Sequence, residues 1–488
     1  MNKILLSLLF VSVIAAATNG KISKQLQLDL TTKESVEMYL LLNNEHSIKT
    51  SLSTNRIQRL KHIIAQLKDN AKQSQPLIEK QLIKYADDYQ FYWINNSVWI
   101  KASARNAQNI LQQKSIRKAF ANTSQKLAII KDDSPVSKST SSVGWGSTMI
   151  NAPAVWALGF RGQGVIIAGQ DTGYQWDHVA LKEKYAGWNG VSVDHNYSWH
   201  DAIHTPNIPC VGGLGNPVSC DDHGHGTHTM GTMVGDDEVG NQVGIAPDAK
   251  WIGCRNMNQG IGTPQTYTEC FQFFLEPTDL NGLNPDVTKA PHIINNSWGC
   301  PPSEGCTQPD ALESIVNNVV DAGILVVAAA GNSGSGCGTV KDPIAIYDKT
   351  FTVGSTTSAD AISGFSSRGA VTIDGSNRIK PDISAPGHSV RSSTIGGGYG
   401  NMSGTSMASP HVAGVAALLI SANSSLAGQP EQLKQIILNS SLAKTSTQDC
   451  NGIAGTQIPN NTFGWGRVDA LAAVNQVMLD FVFTNGFE

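Results

Sequence analysis

The chain has 488 residues, 40% hydrophobic and only 15% charged, with a formal net charge of −4. That length supports two to four domains with sizeable cores, and that balance excludes a disordered chain. Residues 21–142 carry 19 Lys+Arg against 10 Asp+Glu and residues 143–488 carry 15 against 29, so a basic front module precedes an acidic body that attracts it.

Met1 to Gly20 holds Lys3, the apolar run Ile4–Ala17 and the small residues Ala15-Ala16-Ala17. It reads as a secretory signal peptide over 1–20, too short for a membrane span. No later stretch is expected to be a stable membrane anchor, so a secreted, extracellular protein is expected. All eight cysteines lie in the acidic part and no C-x-x-C pair occurs. An even count in an exported chain fits disulfides, with buried thiols or a metal site as the alternative.

Residues 21–125 alternate strand and helix patterns. Glu37–Leu42 reads as a strand, Thr54–Ala86 as a long helix, Phe91–Ile94 and Ser97–Ala102 as a hairpin turning at Asn95-Asn96. A helix over Ala104–Gln113 and a strand over Ile116–Ala121 complete a β-α-β-β-α-β order. That order implies a small α+β, ferredoxin-like sheet backed by two helices. An unrelated α+β binding domain has the same pattern. Residues 126–142, rich in Ser, Lys and Asp, read as an exposed linker open to nicking.

Over 143–478 the fold class is α/β. Val165–Gln170, Trp251–Cys254, His292–Asn296, Ile324–Ala330, Phe351–Gly354 and Asp382–Ser384 are short apolar runs, some separated by helical stretches such as Asp310–Ala322. This pattern predicts a doubly wound parallel sheet with helices on both faces. Active groups in such sheets gather beyond the carboxyl ends of the strands, which is where Asp171, Asn296-Ser297 and Asn332 fall. A last helix is expected over Trp465–Val477. The tail 479–488 reads as a frayed end, an added edge strand or a processing signal.

Gly404-Thr405-Ser406-Met407-Ala408-Ser409-Pro410 runs into the small-residue apolar segment Val412–Ile420. It predicts a tight turn opening a buried helix, with Ser406 where N–H groups and the helix dipole favour negative charge. A helix-capping serine is the plain reading, and a nucleophile is the chemical one. His223, His225 and His228 lie within six residues among glycines. They fit a general base better than a metal site, since no H-E-x-x-H is present.

Four segments occur together in order: Gln170-Asp171-Thr172-Gly173, His225-Gly226-Thr227-His228, Ala330-Gly331-Asn332 and Gly404–Pro410. They resemble those of subtilisin-like serine proteases. Trp156–Gly159 and Ile294–Gly299 make the chain similar to the larger secreted bacterial members of the bacillopeptidase F type. The resemblance covers about Gly144 to Val474. It implies a subtilisin-like fold and a serine endopeptidase working through an acyl-enzyme. Ser406 would be nucleophile, His225 base, Asp171 the carboxylate orienting the imidazole, and Asn332 the oxyanion donor. Ser297, Trp298, Gly299, Ala329, Ala330 and Gly331 would line the peptide cleft. Plain alternatives are a turn former for Asn332 and core packing for Trp298; His228 reads as structural, facing the sheet.

The resemblance further implies that 21–125 is an inhibitory, chaperone-like propeptide, so that the chain is a self-processed zymogen cut near 126–142. Expected partners are protein or peptide substrates and the chain's own propeptide, with a monomer, no nucleic acid and no metal. No cofactor is required. Ala180 stands where many subtilisins carry a calcium-ligating aspartate, which puts that site in doubt. Asp236-Asp237-Glu238 could hold a cation or be a solvated charge run. Cys210–Cys220 and Cys300–Cys306 are plausible pairs by closeness. Two other classes compete with this reading. A silent binding relative is disfavoured by the intact Asp171, His225, Asn332 and Ser406. A lipase-like hydrolase is disfavoured by the lack of a G-x-S-x-G elbow and by the Asp…His…Ser order.

Overall fold

The computed structural model describes residues 20–43, 47–49, 53, 55–127, 130, 143–204, 210, 216–299 and 308–485. The expected signal peptide, nearly all of the expected linker and the expected Cys300–Cys306 pair lie outside the described residues. The chain divides into two compact units, Met1–Lys49 with Ala65–Thr123, and Thr50–Ile64 with Ser124–Glu488.

The first unit begins with helix α1 (Lys24–Thr32), capped by the Ser23 hydroxyl, which accepts from Leu26 N at 3.1 Å. The sequence reading missed it because its Gln- and Thr-rich face blurs the apolar period. Strand β1 (Ser35–Leu42), helix α2 (Arg56–Tyr85, of which the part from Ala65 on belongs to this unit), strands β2 (Asp88–Tyr92) and β3 (Ser97–Ser103), helix α3 (Ala104–Leu111) and strand β4 (Ile116–Ala121) follow. The sheet order is β2-β3-β1-β4, antiparallel throughout. Met38, Leu40 and Leu42 alternate along β1 onto one face, where Val98, Ile100, Ile110, Ile78 and Leu82 close the core. The hairpin turns earlier than expected, at Trp93–Asn96, with Asn96 in the left-handed region at φ 53°.

The second unit opens with β5 (Gln125–Lys126), α4 (Trp145–Met149), α5 (Ala152–Ala157), β6 (Ile166–Asp171), β7 (Trp199–Asp201), α6 (His225–Val234), β8 (Lys250–Arg255), β9 (Met257–Asn258), β10 (Ile261–Gly262) and α7 (Pro264–Leu275). It continues with β11 (Ile293–Asn296), α8 (Glu313–Asp321), β12 (Leu325–Ala329), β13 (Phe351–Thr356), β14 (Ile383–Pro386), β15 (Val390–Thr394), β16 (Gly398–Met402), α9 (Thr405–Ala422), α10 (Pro430–Asn439) and α11 (Ala470–Asn485). Seven strands form one parallel sheet in the order β14-β13-β12-β11-β6-β8-β7. The chain first builds outward from β6 to β8 and β7, then returns to lay β11 on the other side of β6. Strand order therefore reverses between β6 and β11, and such a reversal opens a crevice at the carboxyl ends.

Helix α9 is the central post of this unit. Residues Thr405–Ile420 are all buried, against β11–β14, α6 and α11. It is long and apolar enough to cross a membrane by length and composition, which corrects the expectation that no later stretch qualifies. A helix surrounded by protein is apolar all round, and its small residues let neighbours approach closely. The C-terminal helix runs from Ala470 through Asn485. The expected edge strand in the tail is thus helix up to Asn485. Cys210–Cys220, Cys254–Cys270 and Cys337–Cys450 are disulfide-bonded.

Next to the Cys254–Cys270 bridge, Glu269 is buried on α7. His200 Nε2 and His204 Nε2 each donate to one of its oxygens at 2.8 Å. Burial alone would raise this carboxyl, but the two imidazole hydrogen bonds outweigh it and hold the pKa down to about 2. A depressed acid contributes stability above its ordinary pKa and loses it as pH falls through the folded value. Glu269 is therefore expected to contribute on the order of 3 kcal/mol at neutral pH, lost between pH about 4.5 and about 2. Urea-unfolding midpoints measured across that window for wild type and Glu269→Gln test this, and equal acid slopes in the two proteins would contradict it.

Candidate active site

Strand β6 ends on Asp171 and helix α6 begins on His225. The two side chains meet at the start of the helix: His225 Nδ1 lies 2.8 Å from Asp171 Oδ1, with both residues buried. The same carboxylate accepts from Thr172 N at 2.8 Å and, through Oδ2, from Thr229 Oγ1 at 3.3 Å. Nδ1 is thereby the protonated ring nitrogen, and Nε2 is left as the basic one.

The loop before α6 is tied down by Asp221. Its Oδ1 accepts from Thr172 Oγ1 (2.8 Å), His223 N (3.0 Å) and Gly224 N (2.8 Å). Its Oδ2 accepts from Thr227 N (2.9 Å) and Thr227 Oγ1 (2.6 Å). One carboxylate thus satisfies donors on both sides of the helix start, where backbone N–H groups otherwise lack partners. Beneath it the fully buried Arg255 guanidinium lies 3.3 Å from Asp201 Oδ2 and from Asp222 Oδ2. Burial pushes the Asp201 carboxyl up against the pull of Arg255.

Ser406 is the second residue of α9. Its Oγ donates to the Ser297 carbonyl at 2.8 Å, and Ser297 Oγ donates back to the Ser406 carbonyl at 2.8 Å. The hydroxyl is thus engaged with the Ser297 carbonyl, and a serine side chain has other staggered wells open to it. Asn332 lies three residues beyond β12. Its Oδ1 accepts from Thr405 N (2.9 Å) and Thr405 Oγ1 (3.0 Å), while Thr405 Oγ1 accepts from Gly331 N (3.1 Å). The carboxamide oxygen is thus fixed against the helix start, and Nδ2 sits beside Gly404, where a Cβ would lie 3.5 Å from Nδ2 and 3.5 Å from Ser406 N.

A small pocket is lined by Ser406, Asn332, Trp298, Gly299, Ala329 and Gly331 among others. Of the six predicted cleft residues, four line it. Ser297 lies behind Ser406, and Ala330 is buried with its N–H on Val353 O at 3.0 Å. Trp298 is both buried and pocket-lining, stacked on Tyr267 with ring centroids 3.7 Å apart. Leu127 also lines the pocket. Just before it, β5 pairs antiparallel with β10, and Leu127 N donates to Gly260 O at 2.7 Å. Ile130 bridges Ser403 in antiparallel fashion.

Two expectations change. His228 faces the β15–β16 hairpin and not the large sheet: its Nε2 donates to Val390 O at 3.0 Å and Gly400 O at 3.2 Å. Burial first, and then the neighbouring His225, lower its pKa to about 3, so it is a neutral structural group. The acidic loop is a solvated run only in part: Asp236 is buried, while the Glu238 side chain stays 63% exposed. Asp236 pairs with Arg161 (3.1 Å), Glu238 with Lys184 (3.0 Å), and Asp237 accepts from Asn241 Nδ2 (2.6 Å). Among the described residues no group of three His, Cys, Asp or Glu is arranged to hold a metal ion.

The residues missed by sequence reading are supports. Asp221, four positions before His225, carries the signal of a helix-start acid. Asn256 Nδ2 donates to Gln170 Oε1 (2.9 Å), Gln170 Nε2 to Asn296 Oδ1 (2.7 Å) and Asn296 Nδ2 to Val327 O (3.0 Å). This buried ladder ties together β6, β11 and β12 near their carboxyl ends. Polar residues closing otherwise apolar strands were its only sequence signal.

Comparison with known proteins follows the same ground. The chain is 34% identical to Bacillopeptidase F of Bacillus subtilis (strain 168) over 453 residues, 88% of this chain and 30% of that protein. It is 32% identical to M-protease of Shouchella clausii (strain KSM-K16) over 349 residues, 71% of this chain and 74% of that one. It is 31% identical to Subtilisin E of Bacillus subtilis (strain 168) over 297 residues, 60% and 65% of the two chains. It spans less than a third of the length of Bacillopeptidase F. The profile of the subtilase family matches residues 162–466, more than half of the chain and the whole stretch from the start of β6 through Asp171, His225, Asn332 and Ser406. With that match, and with the seven-stranded parallel sheet that carries it, the chain belongs to the subtilase family.

Proposed function

We propose that the chain is a secreted serine endopeptidase that hydrolyses peptide bonds through Asp171, His225 and Ser406 and is made as a self-processed zymogen. The observation that carries the reading is the buried 2.8 Å bond between His225 Nδ1 and Asp171 Oδ1, on the crevice where Ser406 opens α9.

The chemistry follows from that arrangement. Ser406 Oγ, rotated toward His225 Nε2, attacks the substrate carbonyl as Nε2 takes its proton. Asp171 keeps the proton of Nδ1 in place and stabilises the imidazolium. The tetrahedral oxygen is met by Asn332 Nδ2 and the Ser406 backbone N–H at the start of α9. Imidazolium then protonates the leaving amine, and water resolves the acyl-enzyme by the same steps in reverse. Substrate lies extended along β10, pairing as an added strand.

Export is supported by the apolar leader Ile4–Ala17 and by three disulfides, which persist in oxidising compartments. The zymogen reading is supported by the chain itself: β5 adds to β10 as a substrate strand would, and Leu127 lines the pocket beside Ser406. Residues 21–125 then act as the intramolecular inhibitor, and the enzyme works as a monomer on peptide substrates without a cofactor.

Two outcomes are expected. Ser406→Ala abolishes casein hydrolysis, and Asn332→Ala lowers kcat about 10²–10³-fold, a magnitude taken over from the oxyanion asparagine of a subtilisin. Retained activity in Ser406→Ala, or an inactive wild type after complete removal of the front module, would overturn the reading. Second, N-terminal sequencing of matured protein should place the cut on the C-terminal side of Leu127, within 128–142. The full-length Ser406→Ala chain should stay uncut. A mature chain beginning before Leu127, or processing of the alanine variant when purified alone, argues against self-cleavage at this strand.

A further inference from the structure

The start of α2, through Ile64, falls in the second unit. Arg56, Arg59, Leu60 and Ile63 are spaced i, i+3, i+4, i+7 and share one face of that helix. Leu60 and Ile63 are buried, while Gln58, Lys61 and His62 on the other faces are exposed. Both arginines reach backbone carbonyls of the acidic body. Arg56 Nη2 donates to Pro291 O at 2.7 Å and to Ala290 O, and Arg59 Nη1 donates to Gly428 O. The body is shaped to receive them. A Cβ on Gly428 would lie 3.0 Å from Arg56 Cβ, and a Cβ on Gly323 would lie 3.1 Å from Arg59 Cδ. Both glycines are left-handed, at φ 85° and 96°, so backbone and arginine stem alike hold these positions to glycine. His292, next to Pro291, brings no charge against the guanidinium. Burial, and then Arg56, lower its pKa to about 3, and its Nδ1 accepts from Ile166 N at 3.1 Å. Ala290-Pro291 lie just before β11 and Gly323 just before β12. The arginine seat is therefore at the amino ends of the parallel sheet, whereas Asp171 and Asn332 are at its carboxyl ends.

We propose that this seat is a second hold of the body on its own N-terminal segment, remote from the cleft, which keeps that segment bound after the linker is cut and so delays activity. The inference rests on the zymogen reading above and adds what sets the duration of inhibition. The hold in the cleft is β5 on β10, and a cut after Leu127 turns it into a product end that can leave. The arginine seat loses nothing in that cut. Hydrogen bonds given by a guanidinium are charge-assisted and among the stronger ones, and buried contacts are screened little by salt. Two holds on one segment also act together: while either is closed, the other re-forms at high local concentration. Once the helix leaves, water can hydrogen-bond to the carbonyls of Ala290, Pro291 and Gly428. The body therefore keeps its fold, and its activity, with the seat empty.

The test compares the full chain with its Arg56→Ala/Arg59→Ala variant, both refolded from denaturant. The cut is followed on gels and activity by casein hydrolysis. Wild type should show a lag between the cut and its full rate. The variant should be cut at the same bond and reach the same final rate, with the lag shortened at least about tenfold. Arg56→Lys, which keeps the charge but not the fork, should fall between the two. Hydrogen exchange gives a readout that needs no activity. In the full-length Ser406→Ala chain, amides of Leu60–Ile64 should exchange at least about tenfold faster once both arginines are replaced, while those of Leu67–Tyr85 keep their rates. An unchanged lag in the double variant overturns the inference, as does a final rate that falls along with the lag, the mark of a purely structural contact. If the double variant does not fold, Arg56→Lys decides, and an unchanged lag there overturns the hold. A wild type that is fully active as soon as it is cut defeats this inference alone. One that is never cut and never cleaves casein defeats the peptidase reading and this inference together.

Discussion

The candidate site depends on how closely helix α6 can approach the end of β6. At Gly226 a Cβ would lie 2.1 Å from the Gly173 carbonyl oxygen and 3.0 Å from Asp171 Cβ. No side chain larger than hydrogen fits that gap. The glycine lets the helix start come down onto the strand end, and the His225–Asp171 bond of 2.8 Å exists because it does. Any residue with a Cβ at 226 would lift the helix start, and the imidazole would part from its carboxylate before any core contact broke.

Close approach creates a second requirement. A helix start and a strand end brought together place several backbone N–H groups where water reaches them poorly, and unmatched groups there cost about 1–3 kcal/mol each. Asp221 meets this requirement with five accepted hydrogen bonds from Thr172, His223, Gly224 and Thr227. Asp222, next to it, faces the buried Arg255, which also faces Asp201. Removing one member of such a buried set strands a charge, at a cost of about 3–5 kcal/mol. The histidine loop is thus held by charge from below and by hydrogen bonds at its rim, and both anchors sit outside the proposed triad.

Much of this was legible in sequence, and the reason is physical. Strands buried on both faces must be apolar throughout, so β6, β8, β11, β12 and β13 announced themselves, and the residues that end them marked the crevice. The four segments holding Asp171, His225, Asn332 and Ser406 are contiguous stretches whose glycines and small residues serve local geometry. What sequence did not disclose is contact across long separations. Asp342 is ten residues past Asn332 in a loop with no periodicity, and nothing in the sequence tells that it abuts Gly299 and Gly331, which follow two different strands. His228 was assigned to the wrong partner because helix periodicity gives a direction but not the element that packs there. Helix α1 was lost to a weak apolar stripe, and α11 extends to Asn485 where the reading stopped at Val477.

The same limits explain the state of Ser406. Its place at the N-terminus of α9 is a local property, set by Gly404 and the buried run that follows. Its rotamer is not local. The hydroxyl rests on the Ser297 carbonyl, and Ser297 Oγ answers to the Ser406 carbonyl, so the segment after β11 and the start of α9 are cross-linked by two hydrogen bonds of 2.8 Å. Rotating Ser406 toward His225 gives up one of these bonds and keeps the other. The cleft wall at Trp298-Gly299 therefore stays attached to the helix that carries the proposed nucleophile while the hydroxyl turns. A neutral hydrogen bond is worth about 0.5–1.5 kcal/mol net, so the rotation that the proposed mechanism requires costs little and leaves the cleft wall in place.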